Sequence, residues 1–388
     1  MLLRRWLVLL FCLSLFFILT AAWAQQTTDG IAARLQPFVD SHTLAGAVTL
    51  VASKDKVLGI EAVGFADIGA KTPMQTDNVF WIASMSKPIT ATALMMLVDE
   101  GKVKVGDPVE KYLPEFKDQW LAVEQDKDHI LLKKPTHPIT VGNILSHTSG
   151  MPFKSAMEQP TLDLLSLRDA ARSYAMTPLQ FEPDTKYQYS NAGINTAGRI
   201  IEVVSGMPYE DFLQKSLFDP LGMKDTTFWP SEEQVARLAK AYKPNGSKNG
   251  LEEITVTQLK YPLSDRKARH PMPAGGLFST AADVGTFCRM ILRGGDLDGK
   301  RYLSEEAVRQ MTTTQTGSLP TSYGFGWSTP KQPGGPVGHG GAYSTNMSID
   351  PAKQLVLVLM MQHAGFPGAD GPKIQPTFTK AAMERFGK

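Results

Sequence analysis

The chain has 388 residues, of which 43% are hydrophobic and 20% charged, and its formal net charge at pH 7 is +2. These proportions exclude an intrinsically disordered chain, and the near balance of 40 basic and 38 acidic residues predicts no nucleic-acid partner and no strongly charged membrane-binding surface. The two cysteines, Cys12 and Cys288, are too few for a disulfide-stabilised fold, so the stability has to come from a packed core.

The first residues have the three parts of a secretory signal peptide. Arg4 and Arg5 give a positive start, an apolar run covers residues 6–22, and Ala22-Trp23-Ala24 matches a small-x-small cleavage site. The sequence therefore predicts a signal peptide over residues 1–24, export to the periplasm or the medium, and no stable membrane association after cleavage. The alternative is a retained anchor, because an apolar run of about 17 residues can just span a bilayer.

Strand-like segments lie at both ends of the remaining chain, and helical patterns lie between them. Apolar residues at helical spacing predict a first helix at 30–41, and short β-type runs predict strands at 45–52 and 57–65. Helices are then predicted at 140–145, 167–175, 195–205, 210–217, 281–292 and 305–311. Strands follow at 323–328, 344–349 and 354–361, a helix closes the chain at 373–386, and surface loops are predicted at 243–250 and 329–338.

This order of elements predicts an α/β fold around one antiparallel sheet built from both chain ends. Short loops between successive C-terminal strands favour antiparallel pairing. We expect the terminal helices to flank the sheet and a mainly helical domain, at about residues 100–310, to be inserted into a single larger domain that covers residues 25–388.

The stretch FWIASMSKPITAT, residues 80–92, contains Ser84-x-x-Lys87 at the start of a predicted helix. Pro88 is tolerated only in a first turn, so Ser84 lies at the helix N-terminus with Lys87 about one turn later on the same side. A partly desolvated lysine can activate a serine hydroxyl if its pKa is lowered. By spacing alone, a capping serine beside a solvated lysine is the alternative, because the pattern recurs at Ser53–Lys56, Ser264–Lys267 and Ser328–Lys331.

Two further stretches carry polar groups of the kind that such a serine needs. Tyr189 and Asn191 flank Ser190 in a polar loop before a helix, and residues two apart in extended chain point the same way. A phenol can relay protons and an amide can hold a carbonyl or orient a lysine. Later, His339-Gly340-Gly341 leads into a predicted strand, where glycines let a ligand approach the backbone closely. The alternatives are a turn with a surface aromatic and a glycine-rich turn.

In this order and at these separations, Ser-x-x-Lys, Tyr-x-Asn and His-x-Gly resemble the motifs of the penicillin-recognising serine hydrolases. Within them the chain is similar to the branch of class C β-lactamases, carboxylesterases, D-aminopeptidases and DD-peptidases. The connecting segments ILSHTSGMP (144–152), PLGMKDTTF (220–228) and PAGGLFSTAADVGTF (273–287) are similar as well, and the resemblance runs from about residue 30 to the C-terminus. It implies an α/β sandwich with an inserted helical domain.

The resemblance also implies roles for individual residues. Ser84 would be the acyl-forming nucleophile, Lys87 its activating partner, and Tyr189 the proton acceptor or relay; which of Lys87 and Tyr189 takes the proton stays open. The substrate-binding and oxyanion group would comprise Asn191, His339, Gly340, Gly341 and Ala342, with the backbone N–H groups of Ser84 and Ala342 as oxyanion donors. No cofactor is implied. The remaining histidines are scattered without metal-ligand spacing, so no metal site is predicted, and His147 is interpreted as packing against or stabilising a turn.

The third motif departs from the Lys-Thr-Gly that class C β-lactamases typically carry. A histidine is mostly neutral at pH 7 and glycine offers no hydroxyl, so recognition of a substrate carboxylate is weakened. The leading hypothesis is therefore an exported serine hydrolase of small-molecule esters or amides, carboxylesterase-like with weak β-lactamase activity. One alternative is a D-amino-acid peptidase, DD-carboxypeptidase or β-lactamase acting on cell-wall peptides or β-lactams, and another is a non-catalytic penicillin-binding sensor.

Overall fold

The computed structural model describes residues 30–387, so the predicted signal peptide at 1–24 lies outside the described residues. The strands in chain order are β1 (Gly46–Ser53), β2 (Val57–Asp67), β3 (Thr72–Pro73), β4 (Phe80–Trp81), β5 (Leu121–Gln125), β6 (Ile130–Lys133), β7 (Ala241–Pro244), β8 (Leu251–Ile254), β9 (Phe278–Ser279), β10 (Asp296–Leu297), β11 (Lys300–Arg301), β12 (Val337–Gly340), β13 (Asn346–Asp350) and β14 (Leu355–Met360).

The α-helices are α1 (Ile31–Asp40), α2 (Ser86–Asp99), α3 (Val141–Ser146), α4 (Leu167–Ala175), α5 (Asn191–Ser205), α6 (Tyr209–Leu213), α7 (Asp219–Leu221), α8 (Glu232–Ala236), α9 (Ala281–Leu292), α10 (Glu305–Thr312) and α11 (Ile374–Phe386). Short 3₁₀ turns occupy Ala83–Met85, Val109–Lys111, Pro114–Phe116 and Gly371–Lys373, and a π turn occupies Gln214–Phe218. No helix within this part of the chain combines the length and the apolar character that crossing a bilayer requires.

The main sheet has six strands in the order β12-β13-β14-β1-β2-β3, and its pairs are antiparallel. The β1–β14 pair, with Val48 opposite Met360 and Ser53 opposite Leu355, joins the two ends of the chain. The predicted antiparallel sheet from both termini is therefore confirmed. It explains why residues 355–360 read LVLVLM, since a strand covered on both faces has to be apolar at every position.

Each face of the sheet has its own core. On one face α1 and α11 pack against Val51, Val63 and Leu357. On the other face, α9 packs against β1, β13 and β14, and Val48, Val356 and Val358 join the large core that continues into the helical region. At about 1.5–3 kcal/mol for each fully buried aliphatic side chain, these two layers fix the sheet on which the candidate site is built.

Helix α2 lies at the centre of the helical region, in contact with α5 and α10. From Ser86 to Leu97 all but one of its residues are buried, so the helix is enclosed on every side rather than amphipathic. A buried helix keeps its first turn in a fixed position relative to both the sheet and the helical region.

Two predictions about secondary structure just before the third motif are wrong. Residues 323–328 form no strand: the N–H groups of Gly324, Phe325 and Gly326 donate to Trp327, Met311 and Leu145 rather than to a neighbouring strand. The loop predicted at 329–338 ends inside a strand, because β12 already begins at Val337.

Candidate active site

Ser84 lies in the 3₁₀ turn that leads directly into α2. Its side chain is partly exposed, whereas Ala83 and Met85 on either side are buried. Ala83 has φ of +46°, a left-handed conformation that is strained for any residue with a Cβ, and this bend turns the chain sharply just before Ser84. Upstream, Gln362 accepts the N–H of Trp81 at 2.9 Å and donates to its carbonyl at 3.3 Å, which anchors the strained turn to the sheet side.

Lys87 is fully buried one turn after Ser84. Its Nζ donates to Ala274 O at 2.6 Å, to Asn191 Oδ1 at 2.8 Å and to Ser84 Oγ at 3.1 Å. All three acceptors are neutral, and within residues 30–387 Lys87 forms no salt bridge. Burial without a compensating carboxylate lowers the pKa of Lys87 well below its usual value of 10.5, which makes the neutral amine accessible.

Tyr189 lies beside Lys87, with the ammonium nitrogen 4.6 Å from the centroid of its ring. Burial raises the pKa of the Tyr189 phenol, and the neighbouring Ser84 hydroxyl opposes that shift. The phenol is therefore protonated at neutral pH. Its outer side stacks against the exposed ring of Phe153, at a centroid distance of 6.4 Å.

Ser190 and Asn191 start helix α5. The Ser190 Oγ accepts the N–H of Gly193 at 3.1 Å and so caps the helix, which places Tyr189 just before the helix and Asn191 in its first turn. One turn further, Asn195 accepts the N–H of Ala274 at 3.0 Å. Helix α5 thus contacts Lys87 directly through Asn191 and also, through Asn195, binds the backbone of Ala274, whose carbonyl is the third acceptor of the lysine.

His339 is buried on the edge strand β12 and is neutral in the folded protein. Its Nδ1 faces its neighbour's carbonyl, Gly340 O, at 2.7 Å, so the ring proton lies on Nδ1. The Nε2 therefore accepts from the hydroxyl of Tyr323, 2.9 Å away. Burial, with a smaller contribution from the nearby charge of Lys87, lowers the pKa of His339 to about 3.

Gly341 brings the end of β12 against the turn that carries Ser84. A Cβ at this position would lie 2.6 Å from Ile82 O and 2.1 Å from Thr345 Oγ1, so only glycine allows the approach. The Gly341 N–H already donates to Thr345 O at 2.7 Å. The N–H of exposed Ala342 donates to no other group of the described chain and is free for a substrate oxygen.

The structure thus brings together all eight residues that the sequence singled out. Ser84, Lys87, Tyr189 and Asn191 are linked by hydrogen bonds or direct contact. The ring of His339 lies 6.1 Å from that of Tyr189, and the 339–342 segment meets the Ser84 turn through Gly341. A hydroxyl, a neutral amine, a protonated phenol and a free backbone N–H on one surface can together perform acyl transfer.

Three contributors escaped sequence reasoning. Tyr323 was expected in a strand, His147 was interpreted as a turn residue, and the carbonyl of Ala274 has no side-chain signal. The only trace of Ala274 in the sequence is its position in the segment 273–287, which was singled out for its similarity to a connecting segment. The other Ser-x-x-Lys patterns are incidental: Ser53, for example, accepts the N–H of Lys56 in the exposed turn between β1 and β2.

Comparisons with known proteins agree with this fold. The family model described as Beta-lactamase matches residues 31–375. An uncharacterised protein of Mycobacterium tuberculosis is 32% identical over 86% of this chain and 90% of its own length. Esterase EstB of Burkholderia gladioli is 28% identical, over 88% and 93%. Among solved structures, EstCE1, a hydrolase with promiscuous acyltransferase activity, superimposes with a TM-score of 0.74 at 24% identity over 90% of this chain and 97% of its own, which shows a common fold.

Proposed function

Because the chain belongs to the β-lactamase family of serine hydrolases, we propose that it hydrolyses neutral esters, and more slowly amides, through an acyl-enzyme at Ser84. The observation that carries this proposal is the fully buried Lys87, whose Nζ lies 3.1 Å from Ser84 Oγ and has only neutral partners. A lysine in this state can accept a proton near neutral pH, which a solvated lysine cannot.

The reaction has two halves. Ser84 Oγ bonds to the acyl carbon while its proton passes to Lys87, and the oxyanion is held by the N–H groups of Ser84 and Ala342. The carbon–oxygen bond to the alcohol then breaks, and the alcohol leaves with a proton relayed through Tyr189. In the second half, water gives a proton to the same base, its oxygen attacks the acyl carbon, and Ser84 recovers its proton as the acid departs. The raised pKa of Tyr189 keeps the phenol protonated, which favours Lys87, with its lowered pKa, as the base and leaves the phenol the part of a proton relay.

His339 supports the preference for neutral acyl groups. With its pKa at about 3 and both ring nitrogens engaged, it offers no positive charge to a substrate carboxylate at neutral pH. The exposed ring of Phe153, stacked on Tyr189, adds an apolar surface at the entrance. EstB, which is similar along nearly its whole length, is named an esterase. Hydrolysis of β-lactams is expected to be a weak side activity.

The test compares a p-nitrophenyl acyl ester, nitrocefin and a D-Ala-D-Ala peptide as substrates of the wild type and of Ser84→Ala. We expect the ester to be the best substrate and its turnover to fall by about 10³-fold or more in the variant. Ser53→Ala, the matched Ser-x-x-Lys control, is expected to keep wild-type activity. Nitrocefin as the best substrate would identify a β-lactamase, preference for the peptide a carboxypeptidase, and stoichiometric acylation without turnover a sensor.

We also propose that the protein is exported. Arg4, Arg5 and the apolar run up to the Ala22-Trp23-Ala24 site support this. The mass of the protein recovered from outside the cytoplasm is expected to correspond to a chain that begins at Gln25, and a protein retained with residues 1–24 attached would contradict cleavage.

A further inference from the structure

His147 holds the chain on both sides of Tyr189. It ends helix α3 in a left-handed conformation, with φ of +62°, and it is fully buried. Its carbonyl accepts the N–H of Gln188 at 2.9 Å, and its Nδ1 accepts the N–H of Ser190 at 3.2 Å. These two donors are the residues immediately before and after Tyr189, so one histidine fixes the backbone at both flanks of the phenol.

The imidazole ring also fixes the side chain of Tyr189. The ring centroids of His147 and Tyr189 are 4.5 Å apart, and on another side the ring lies 4.7 Å from that of Tyr323, whose hydroxyl donates to His339. His147 therefore packs against both the phenol next to Ser84 and the tyrosine that orients the third motif. Rotation of either tyrosine would displace the histidine.

The hydrogen bonding of the His147 ring indicates a role beyond filling space. Because Nδ1 accepts from Ser190, the neutral ring carries its proton on Nε2. That Nε2 is buried and has no hydrogen-bond partner among residues 30–387. An unpaired buried N–H is unfavourable, and an apolar side chain could fill the same space without it. The Nδ1 acceptor is the property that an apolar side chain lacks.

We propose that His147 is the positioning residue of Tyr189, holding the phenol in register with Ser84 and Lys87 through its Nδ1, its carbonyl and its ring face. The inference rests on the proposed function, since it assumes that Tyr189 takes part in proton transfer at Ser84. Only the neutral ring can act in this way, because a protonated Nδ1 would point a donor at the Ser190 donor.

Two amide substitutions at position 147 distinguish the hydrogen bond at Nδ1 from the packing of the ring. Asparagine at position 147 places an oxygen close to the position of Nδ1 and tolerates the left-handed backbone, whereas glutamine places its amide near Nε2. The experiment compares His147→Asn with His147→Gln, each in the wild-type and in the Tyr189→Phe background. Acylation of Ser84 by an activated ester whose acyl-enzyme is hydrolysed slowly is followed over hours by intact-protein mass spectrometry, with kcat and KM for a p-nitrophenyl ester and the thermal unfolding midpoint in parallel.

In the wild-type background, we expect His147→Asn to acylate within about fivefold of the wild-type rate and His147→Gln about 30-fold more slowly, with KM changed by less than about twofold. In the Tyr189→Phe background, the Asn and Gln variants are expected to differ by less than about twofold, because the group being positioned is gone. Should the Gln variant not fold, His147→Ala takes its place in the same cycle.

An equal ratio between the two variants in both backgrounds would overturn the inference, since His147 would then act on stability or on a group other than Tyr189. The proposed function fails in a distinguishable way. If Tyr189→Phe alone acylates at the wild-type rate, Tyr189 has no part in proton transfer, whatever the behaviour of the position-147 variants.

Discussion

Among residues 30–387, two strongly basic side chains, Lys87 and Arg269, are buried, and their surroundings differ completely. Lys87 is 0% exposed and contacts only neutral oxygens, those of Ser84, Asn191 and Ala274. Arg269 is 1% exposed and pairs with the equally buried Asp163 at 2.7 Å, while its other side donates to the carbonyls of Phe228 and Leu263.

This difference distinguishes a catalytic role from a structural one. A buried amine without a counter-charge exchanges its proton easily, which is a cost to stability and a requirement for a base. The Arg269 guanidinium has a carboxylate partner, and it joins three loop segments through its contacts with Asp163 and with the carbonyls of Phe228 and Leu263. Burial alone therefore does not identify a catalytic residue; the charge of its partners does.

The largest effect is expected at Lys87, which has no carboxylate partner. Lys87→Met removes the base while keeping the length and the apolar stem of the side chain, so kcat for the ester is expected to fall by about 10³–10⁴-fold. Lys87→Arg is the matched control that keeps the charge but cannot give up its proton, and it should be as slow as Lys87→Met. Steady-state kinetics on folded protein check both, and an active Lys87→Arg enzyme would show that Lys87 serves as a charge rather than as a base.

At Arg269, which is paired with Asp163, the expected effect is a loss of stability. Arg269→Met leaves Asp163 buried without its partner, and the free energy of unfolding is expected to fall by about 3–5 kcal/mol. Adding Asp163→Leu to this variant removes the stranded charge and is expected to recover part of the loss. Urea denaturation measures both. A loss below about 1 kcal/mol in the single variant would mean that the pair contributes little to the fold.

Asn191→Asp gives Lys87 a carboxylate partner, as Arg269 has in Asp163. A carboxylate in contact with Lys87 favours the charged amine and raises the pKa of Lys87 by about 1–3 pH units. The base is active when neutral, so the rise of kcat/KM with pH should move to higher pH by the same amount. Asn195→Asp, one turn away and not in contact with the lysine, is the matched control and should shift the profile less. An unchanged profile in Asn191→Asp would exclude Lys87 as the titrating base.

The last prediction concerns the pH dependence of stability. The pKa of Lys87 is lowered in the folded state, so between that pKa and 10.5 the unfolded chain binds one proton more, and stability rises with pH. Within that window, Lys87→Met should lack a rise in stability with pH, of at most about 1.4 kcal/mol per pH unit, that the wild type has. Arg269→Met is expected to keep that slope. Equal slopes in the wild type and in Lys87→Met would contradict the lowered pKa.

Much of the fold could be predicted because hydrophobic periodicity indicates its helices and strands, and short connecting loops indicate how the strands pair. Helices 167–175 and 281–292 were predicted with the bounds that the structure has, and four strands of the central sheet, β1, β2, β13 and β14, were predicted to within two residues. The strand predicted at 323–328 failed for a physical reason. Tyr323, Phe325 and Trp327 alternate with glycine and serine and are buried, as in a strand, but their loop is inserted into the core and is hydrogen-bonded to the ends of helices.

The candidate site was predictable where side chains recur at a fixed spacing and not where the backbone contributes. Ser84, Lys87, Tyr189 and Asn191 follow local patterns. The contact of Lys87 with the Ala274 carbonyl forms only when distant segments meet after folding, and so do the contacts of His147 with residues 188–190. His147 in addition acts partly through its own carbonyl, for which the sequence gives no signal. Strand β12 was missed because the glycines around His339 indicate a turn, although an edge strand tolerates them.

The crowding around Gly341 defines which of the two glycines after His339 an engineer could exchange. A Cβ at Gly340 would meet no atom closer than 3.7 Å, so that position can accept a hydroxyl-bearing side chain, whereas position 341 is closed to every residue larger than glycine. A library randomised at both codons should therefore recover diverse folded clones at the first and glycine alone at the second. Within the third motif, a redesign of this hydrolase towards anionic substrates can therefore use positions 339 and 340 but not 341.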